Sequence, residues 1–299
     1  MNTGYGSTLT VVNKISDDIL EKKSISDYGE KRINNEIYFY KQINNLEINF
    51  PIPKILSISD NRFTMEYLKD YITYQKYLEL GGQIYKDKIF SDFKLLHQYE
   101  KKVSKEYFIK NLKKETYLKV KERYKEISEL VEKYSFIKKV NGVEILSFNK
   151  ILDLIENYIE NYLKSVENFT YYPLHGDPQL NNILINPKTK EIKYIDPKGN
   201  FGDSQFYGMK EYDYAKFYFG LGGYSYFDLK EVTELKITND NLDINIKSFE
   251  KYDFKKINLI NIFIVSIWLG NAHCFKSNEY KAIESFFYSL YISTLLFRI

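Results

Sequence analysis

The sequence predicts an α+β fold of two lobes, a small antiparallel β lobe with one helix over residues 1–68 and a larger, mainly helical lobe over 69–299. Three observations point there. Short β-rich runs punctuated by turn residues fill the first 68 positions, apolar residues at three- and four-residue spacing dominate the rest of the chain, and one strand–turn–strand unit interrupts the helical part near residues 182–196. With 299 residues and 44% hydrophobic content, the chain can bury a core large enough for such a fold.

Taken in order, Thr8–Val12 and Ile19–Lys23 read as a hairpin across the turn-like segment Asn13–Asp18. Ile33, Ile37 and Tyr40 then recur at helical spacing and place Glu36 on a defined face, with Pro51 and Pro53 expected to end the segment. Lys54–Ile58 and Arg62–Tyr67 read as two further strands around the turn Ser59-Asp60-Asn61. Beyond Leu68 the expected helices are Ser91–Lys101, a long charged run over Lys110–Tyr134, and Ile151–Val166. Their Lys and Glu density suits a solvated face with i,i+4 pairs.

Lys plus Arg number 43 against 40 Asp plus Glu, a net charge of +3. That balance supplies no counterion-release drive toward a nucleic acid backbone, so no nucleic acid partner is expected. The 29 Tyr and 21 Phe beside a single Trp, together with abundant Lys, Asn and Ile, read as a coding bias toward A and T. The single cysteine, Cys274, forms no intramolecular disulfide and asks for no oxidising compartment. No basic segment followed by an apolar run opens the chain, and the apolar stretch Leu259–Leu269 falls well short of the roughly 20 residues of a membrane span. The expectation is a cytoplasmic protein without a membrane partner; its oligomeric state is not legible.

The segment with chemical content runs from Leu174-His175-Gly176-Asp177 through Asn182 into Ile183-Leu184-Ile185 and, after Asn186-Pro187-Lys188-Thr189, through Ile192-Lys193-Tyr194-Ile195-Asp196. Two apolar β-like runs around a turn make a hairpin, which brings Asn182 at the start of one strand near Asp196 at the end of the other. A hard Mg²⁺ ion takes oxygen from one or two side chains and completes its octahedron with phosphate and water. One amide oxygen and one carboxylate at that junction are a candidate site for it. Asp177, in the turn before the hairpin, suits the role of a base that orients an acceptor hydroxyl, which phosphoryl transfer needs more than covalent help. His-Gly-Asp alone reads as an ordinary turn; Asp177, Asn182 and Asp196 together in a strand-bounded setting carry the reading.

This segment resembles the catalytic core of the aminoglycoside phosphotransferase and choline kinase group, whose pattern is His-Gly-Asp, four residues, Asn, then a short hairpin ending in Ile-Asp. The resemblance implies a protein-kinase-like fold, with Asp177 as catalytic base and Asn182 and Asp196 holding Mg²⁺. Ile195-Asp196-Pro197-Lys198-Gly199, followed by Glu211-Tyr212-Asp213-Tyr214-Ala215-Lys216, is similar to bacterial phosphotransferases associated with capsule or cell-surface polysaccharide synthesis. By the same resemblance Asp213 matches an Asp that braces the catalytic loop.

Such a core needs a lysine for the nucleotide phosphates and a carboxylate to hold it. The strand Ile19–Lys23 offers Lys22 and Lys23 on opposite faces, and the helix offers Glu36. The likeness of Lys22-Lys23-Ser24 to the family's strand selects Lys22. Gly4-Tyr5-Gly6-Ser7-Thr8 is either a phosphate-covering loop, through Gly6 and Ser7, or a plain amino terminus. Met65-Glu66-Tyr67-Leu68 falls where kinases of this fold bind adenine through backbone groups, which adds Glu66, Tyr67 and Leu68 and leaves ATP against GTP open.

Of the remaining candidates, His97 reads as a packed structural histidine, and His273 either lines an acceptor pocket or packs in a core. Cys274 and the three histidines lack zinc-ligand spacing. Tyr218–Phe227 reads as an aromatic turn or an acceptor loop. The expected activity is transfer of the γ-phosphate of ATP or GTP to a hydroxyl of a sugar or amino alcohol, a small-molecule acceptor. The alternatives are inactivation of an aminoglycoside and a catalytically idle scaffold.

Overall fold

A computed structural model describes residues 9–298. Strands β1 (Thr10–Lys14) and β2 (Ile19–Ser24) form the expected hairpin, with Val12 opposite Lys22. Helix α1 (Asp27–Asn45) follows, and β3 (Ile55–Ser59) and β4 (Arg62–Glu66) complete an antiparallel sheet of order β1-β2-β4-β3. Alternation along β2 buries Lys22 and leaves Lys23 in solvent.

Helix α1 is longer at both ends than its apolar spacing implied. The Ser26 hydroxyl accepts the Gly29 N–H at 3.0 Å, and Asp27 and Glu30 sit in the first turn, where a cap and negative charge favour initiation. The helix stops well before Pro51: the chain turns at Leu46 and Glu47, the latter at φ 52°, so the prolines do not end it. Its buried stripe of Ile33, Ile37 and Tyr40 packs toward the sheet, with the Tyr40 ring 5.4 Å from that of Phe63 on β4.

The chain packs as two compact units. The first takes in Met1–Lys102, of which 9–102 are described, and Thr170–Leu229; the second takes in Val103–Phe169 and Lys230–Ile299. This division by packing does not fall at residue 68. The reason is local: β5 (Ile72–Thr73) pairs with the strand Ile183–Ile185, setting Thr73 opposite Leu184, and so ties the segment after residue 68 to the hairpin that ends near Asp196.

In the first unit α2 (Tyr74–Glu79) and α3 (Lys86–Leu96) follow β5. Helix α3 corrects the expected span Ser91–Lys101: it buries Ile89, Phe93 and Leu96 and ends at His97, while Lys101–Lys102 is a short strand opposite Thr170 and Tyr171. The hairpin pairs Ile183 with Tyr194 and Ile185 with Ile192. Its turn is held by Asn186, whose Oδ1 accepts the N–H groups of Lys188 and Thr189 at 2.9 and 3.2 Å. The helix Glu211–Phe219 continues through a wider turn over Gly220–Tyr224 into the helix Ser225–Leu229. Tyr218–Phe227 is therefore helical and not a turn or loop, its irregularity confined to Gly223 at φ 126°.

In the second unit the charged run expected as one helix over 110–134 starts earlier, at Lys105, continues through a π-helical turn at Lys114–Leu118 to Lys125, and resumes after Ile127 as Ser128–Glu132. A π turn shifts the buried face, which charge and spacing alone do not reveal. Phe148–Ser165 forms near its expected bounds, and the apolar helix Leu259–Asn271 buries Trp268, whose Nε1 donates to Tyr252 Oη at 2.7 Å. No described helix is long and apolar enough to cross a membrane.

Candidate active site

The site lies within the first unit and is built on the loop 174–182, the hairpin that follows it, strand β2 and helix α1. The strand Thr170–Pro173 delivers the chain to His175 and Gly176, whose N–H groups donate to the two oxygens of Asp213 at 3.1 and 2.7 Å. Asp213 is wholly buried on the helix Glu211–Phe219 and also accepts from His97 Nε2 at 3.0 Å. His97 is thus a packed histidine that shares the brace.

His175 ties the loop to the far end of the hairpin. Its Nε2–H donates to the Ile195 carbonyl at 3.0 Å, and its Nδ1 faces the Asp177 N–H at 3.3 Å. Burial pushes the ring's pKa down against the pull of Asp213 and Asp177, and the neutral Nε2–H form is the one this pair of contacts needs. Gly176 turns the loop at φ 78°, and a Cβ there would come within 3.2 Å of Lys198 Cβ. Gly176→Ala is expected to cost about 1–2 kcal/mol from the left-handed backbone alone, read as a lower urea midpoint.

The turn leaves Asp177 facing Asn182, whose Nδ2 donates to the Asp177 carbonyl at 2.9 Å and to its Oδ2 at 3.2 Å. Because an amide is planar, Asn182 Oδ1 is then directed away from Asp177. The Asn182 carbonyl accepts the Ile195 N–H at 3.0 Å, which sets Asn182 and Asp196 at the same end of the hairpin. Asp196 follows at φ 57°, a left-handed backbone uncommon outside glycine and frequent at functional positions.

Lys22 joins this end to the sheet. Its Nζ is 2.8 Å from Glu36 Oε2 and also contacts Asp196 Oδ1. Lys22 and Glu36 are both buried, and the second Glu36 oxygen accepts Tyr40 Oη–H at 3.2 Å. Burial and the Glu36 charge raise the Tyr40 phenol well above its ordinary pKa, so it remains the donor in that contact.

Asp177 has a further partner that sequence reasoning missed: Lys216 Nζ lies 2.9 Å from its Oδ1. Burial would raise the Asp177 carboxyl, but the charge and hydrogen bond of Lys216, with Arg32 and His175 adding to them, hold it below the usual carboxylate range. The available signal was spacing. Asp213 and Lys216 stand three apart on one helix and share a face, so a helix that turns Asp213 to the loop turns Lys216 there too.

The other expected residues are less concentrated. Glu66 Oε1 accepts the Lys54 N–H at 2.8 Å, the Tyr67 N–H donates to the Asp18 carbonyl at 2.8 Å, and the Leu68 carbonyl accepts the Tyr71 N–H, so part of this backbone is already engaged. Gly6 and Ser7 lie outside the described residues. His273 belongs to the second unit, its Nδ1 3.3 Å from Glu126 Oε2.

No family model and no curated protein matches the chain. Among solved structures, APH(2")-IIia in complex with GDP and kanamycin is similar with a TM-score of 0.54 at 13% identity, over 96% of this chain and 90% of that one. A choline/ethanolamine kinase family protein from Mesorhizobium loti gives 0.53 at 10% identity, over 95% and 85%. Choline kinase LicA from Streptococcus pneumoniae gives 0.52 at 11% identity, over 98% and 92%. At such identities the likeness is one of fold: the chain has the α+β, kinase-like fold of aminoglycoside phosphotransferases and choline kinases.

Proposed function

We propose that the chain is a small-molecule kinase that moves the γ-phosphate of ATP, or of GTP, onto a hydroxyl of a sugar or amino alcohol. The observation that carries this reading is the Lys22 bridge, in which one buried ammonium joins Glu36 of α1 to Asp196 at the end of the hairpin. A lysine so held suits nucleotide phosphates, with a carboxylate beside it suited to a metal. The GDP held by the APH(2")-IIia complex supports a nucleotide partner.

In this reading residues 1–68 form the nucleotide lobe, with Glu66, Tyr67 and Leu68 offering backbone groups to the base, and 69–299 carry the catalytic residues and the acceptor. Asp177 orients the hydroxyl and takes its proton as the new bond to phosphorus forms. Asn182 Oδ1 and the Asp196 carboxylate are the groups that would hold Mg²⁺. One neutral and one anionic oxygen fit a hard ion that keeps water and phosphate as its other ligands, and the ion supplies an offset to the phosphate charge when bound. The sequence likeness around Ile195–Gly199 and Glu211–Lys216 supports a role in cell-surface polysaccharide synthesis, carried out in the cytoplasm.

A mass-spectrometric screen of ATP- and GTP-dependent phosphorylation across sugars, polyols, amino alcohols and aminoglycosides tests the reading. A phosphate gained by a sugar or amino alcohol is the expected result. Transfer to aminoglycosides alone would move the reading to antibiotic inactivation, and absence of both transfer and nucleotide hydrolysis would leave a scaffold. Asp196→Asn is expected to raise the Mg²⁺ concentration for half-maximal transfer by about 10–100-fold, measured by titrating Mg²⁺ at fixed nucleotide.

A further inference from the structure

Lys216 stands where a cation least helps a general base. Its Nζ is 2.9 Å from Asp177 Oδ1, and only 15% of its side chain is exposed. The other oxygen of Asp177 receives Asn182 Nδ2, so both carboxylate oxygens are engaged before an acceptor arrives. A lysine on Oδ1 holds Asp177 in its ionised form and opposes uptake of a proton. The Lys216 Nζ also lies 5.9 and 5.5 Å from the ring centroids of Tyr212 and Phe219.

The charge balance of phosphoryl transfer says where that cation goes. The acceptor oxygen bonds to the γ-phosphorus with its own electron pair, the bond from that phosphorus to the β,γ-bridging oxygen breaks, and its pair leaves with the nucleoside diphosphate. The hydroxyl proton passes to Asp177, which becomes neutral. Lys216 stays charged and loses its counter-ion at that moment, next to a phosphoryl group whose three equatorial oxygens carry the negative charge.

We infer that Lys216 is a catalytic residue of the transfer: it rests on Asp177 in the free protein and passes to an equatorial oxygen of the moving phosphoryl group as Asp177 takes the proton. The inference rests on the kinase reading proposed for the chain. It goes beyond that reading by assigning a transition-state contact to a residue of the helix that braces the loop.

The test is calorimetric and needs no knowledge of the acceptor. Wild type, Lys216→Met and Lys216→Arg are each titrated in Mg²⁺ buffer with ADP alone and with ADP plus aluminium fluoride, a mimic of the flat phosphoryl group. ADP alone is expected to bind all three within about twofold, whereas the tightening caused by fluoride is at least about tenfold smaller in Lys216→Met, as loss of a charge-assisted hydrogen bond requires. Lys216→Arg keeps most of the gain, which separates charge from a fold defect. Equal tightening in wild type and Lys216→Met, equal weakening of both ligands in Lys216→Met, or tightening in none of the three overturns the role of Lys216 and leaves the kinase reading standing. Failure of wild type to bind ADP at all removes the kinase reading, and this inference with it.

Discussion

Asp177→Ala is expected to lower the rate of phosphoryl transfer by about 10²–10⁴-fold, the range of a positioned general base, with nucleotide affinity little changed. The contacts proposed to face the nucleotide, Lys22 with Glu36 and Asp196, do not involve Asp177, so the loss belongs in kcat. Steady-state kinetics with the acceptor found by the screen, beside calorimetric binding of ADP, measures both. A variant that keeps its rate, or that loses rate and nucleotide affinity together, removes Asp177 from the role of base.

The acid side of the pH profile follows from the same carboxylate. Lys216 and Arg32 outweigh burial and hold Asp177 below the ordinary carboxylate range, so the proposed base is ionised throughout the neutral region and its protonation lowers activity only on the acid side. The sign for stability is the same. A carboxylate whose folded pKa lies below its unfolded value, about 3.9 for Asp, adds stability above that unfolded value and loses it as pH falls through the folded one.

Asp213→Ala is expected to be the most destabilising single change at the site. The buried carboxylate accepts from the N–H groups of His175 and Gly176 and from His97 Nε2. Its removal strands three buried donors, and breaking such an arrangement from one side costs about 3–5 kcal/mol. In a chain of this size that corresponds to a fall of roughly 10 °C in thermal midpoint, read by differential scanning calorimetry. Asp213→Asn keeps the shape but presents an N–H₂ where an acceptor was, so an intermediate loss is expected. A shift within a degree for the Ala variant would mean that the loop holds its turn without the brace.

Much of the site was legible because its pieces are local. Strand alternation separates Lys22 from Lys23, helical spacing turns Glu36 inward, and the two apolar runs around Asn186 form a hairpin that brings Asn182 and Asp196 to one end. What escaped the sequence depends on contacts between distant segments. The pairing of Thr73 with Leu184 that ties the region after residue 68 to the hairpin, and the strand at Lys101–Lys102 against Thr170–Tyr171, are set by partners that no local pattern names. The meeting of Lys216 with Asp177 is partly of this kind: its spacing from Asp213 marks the face it shares, while its partner lies on a distant segment. The π turn at Lys114–Leu118 escaped for a different reason, since it changes which face is buried without changing the composition that signals a helix.

Asp213 and Lys216 are less than one turn apart on the same short helix, so one rigid element sets both the posture of the loop and the charge at its tip. The two behave like teeth on a single gear: a substitution or ligand that rotates the helix by a fraction of a turn changes the support under His175 and Gly176 and the charge beside Asp177 together.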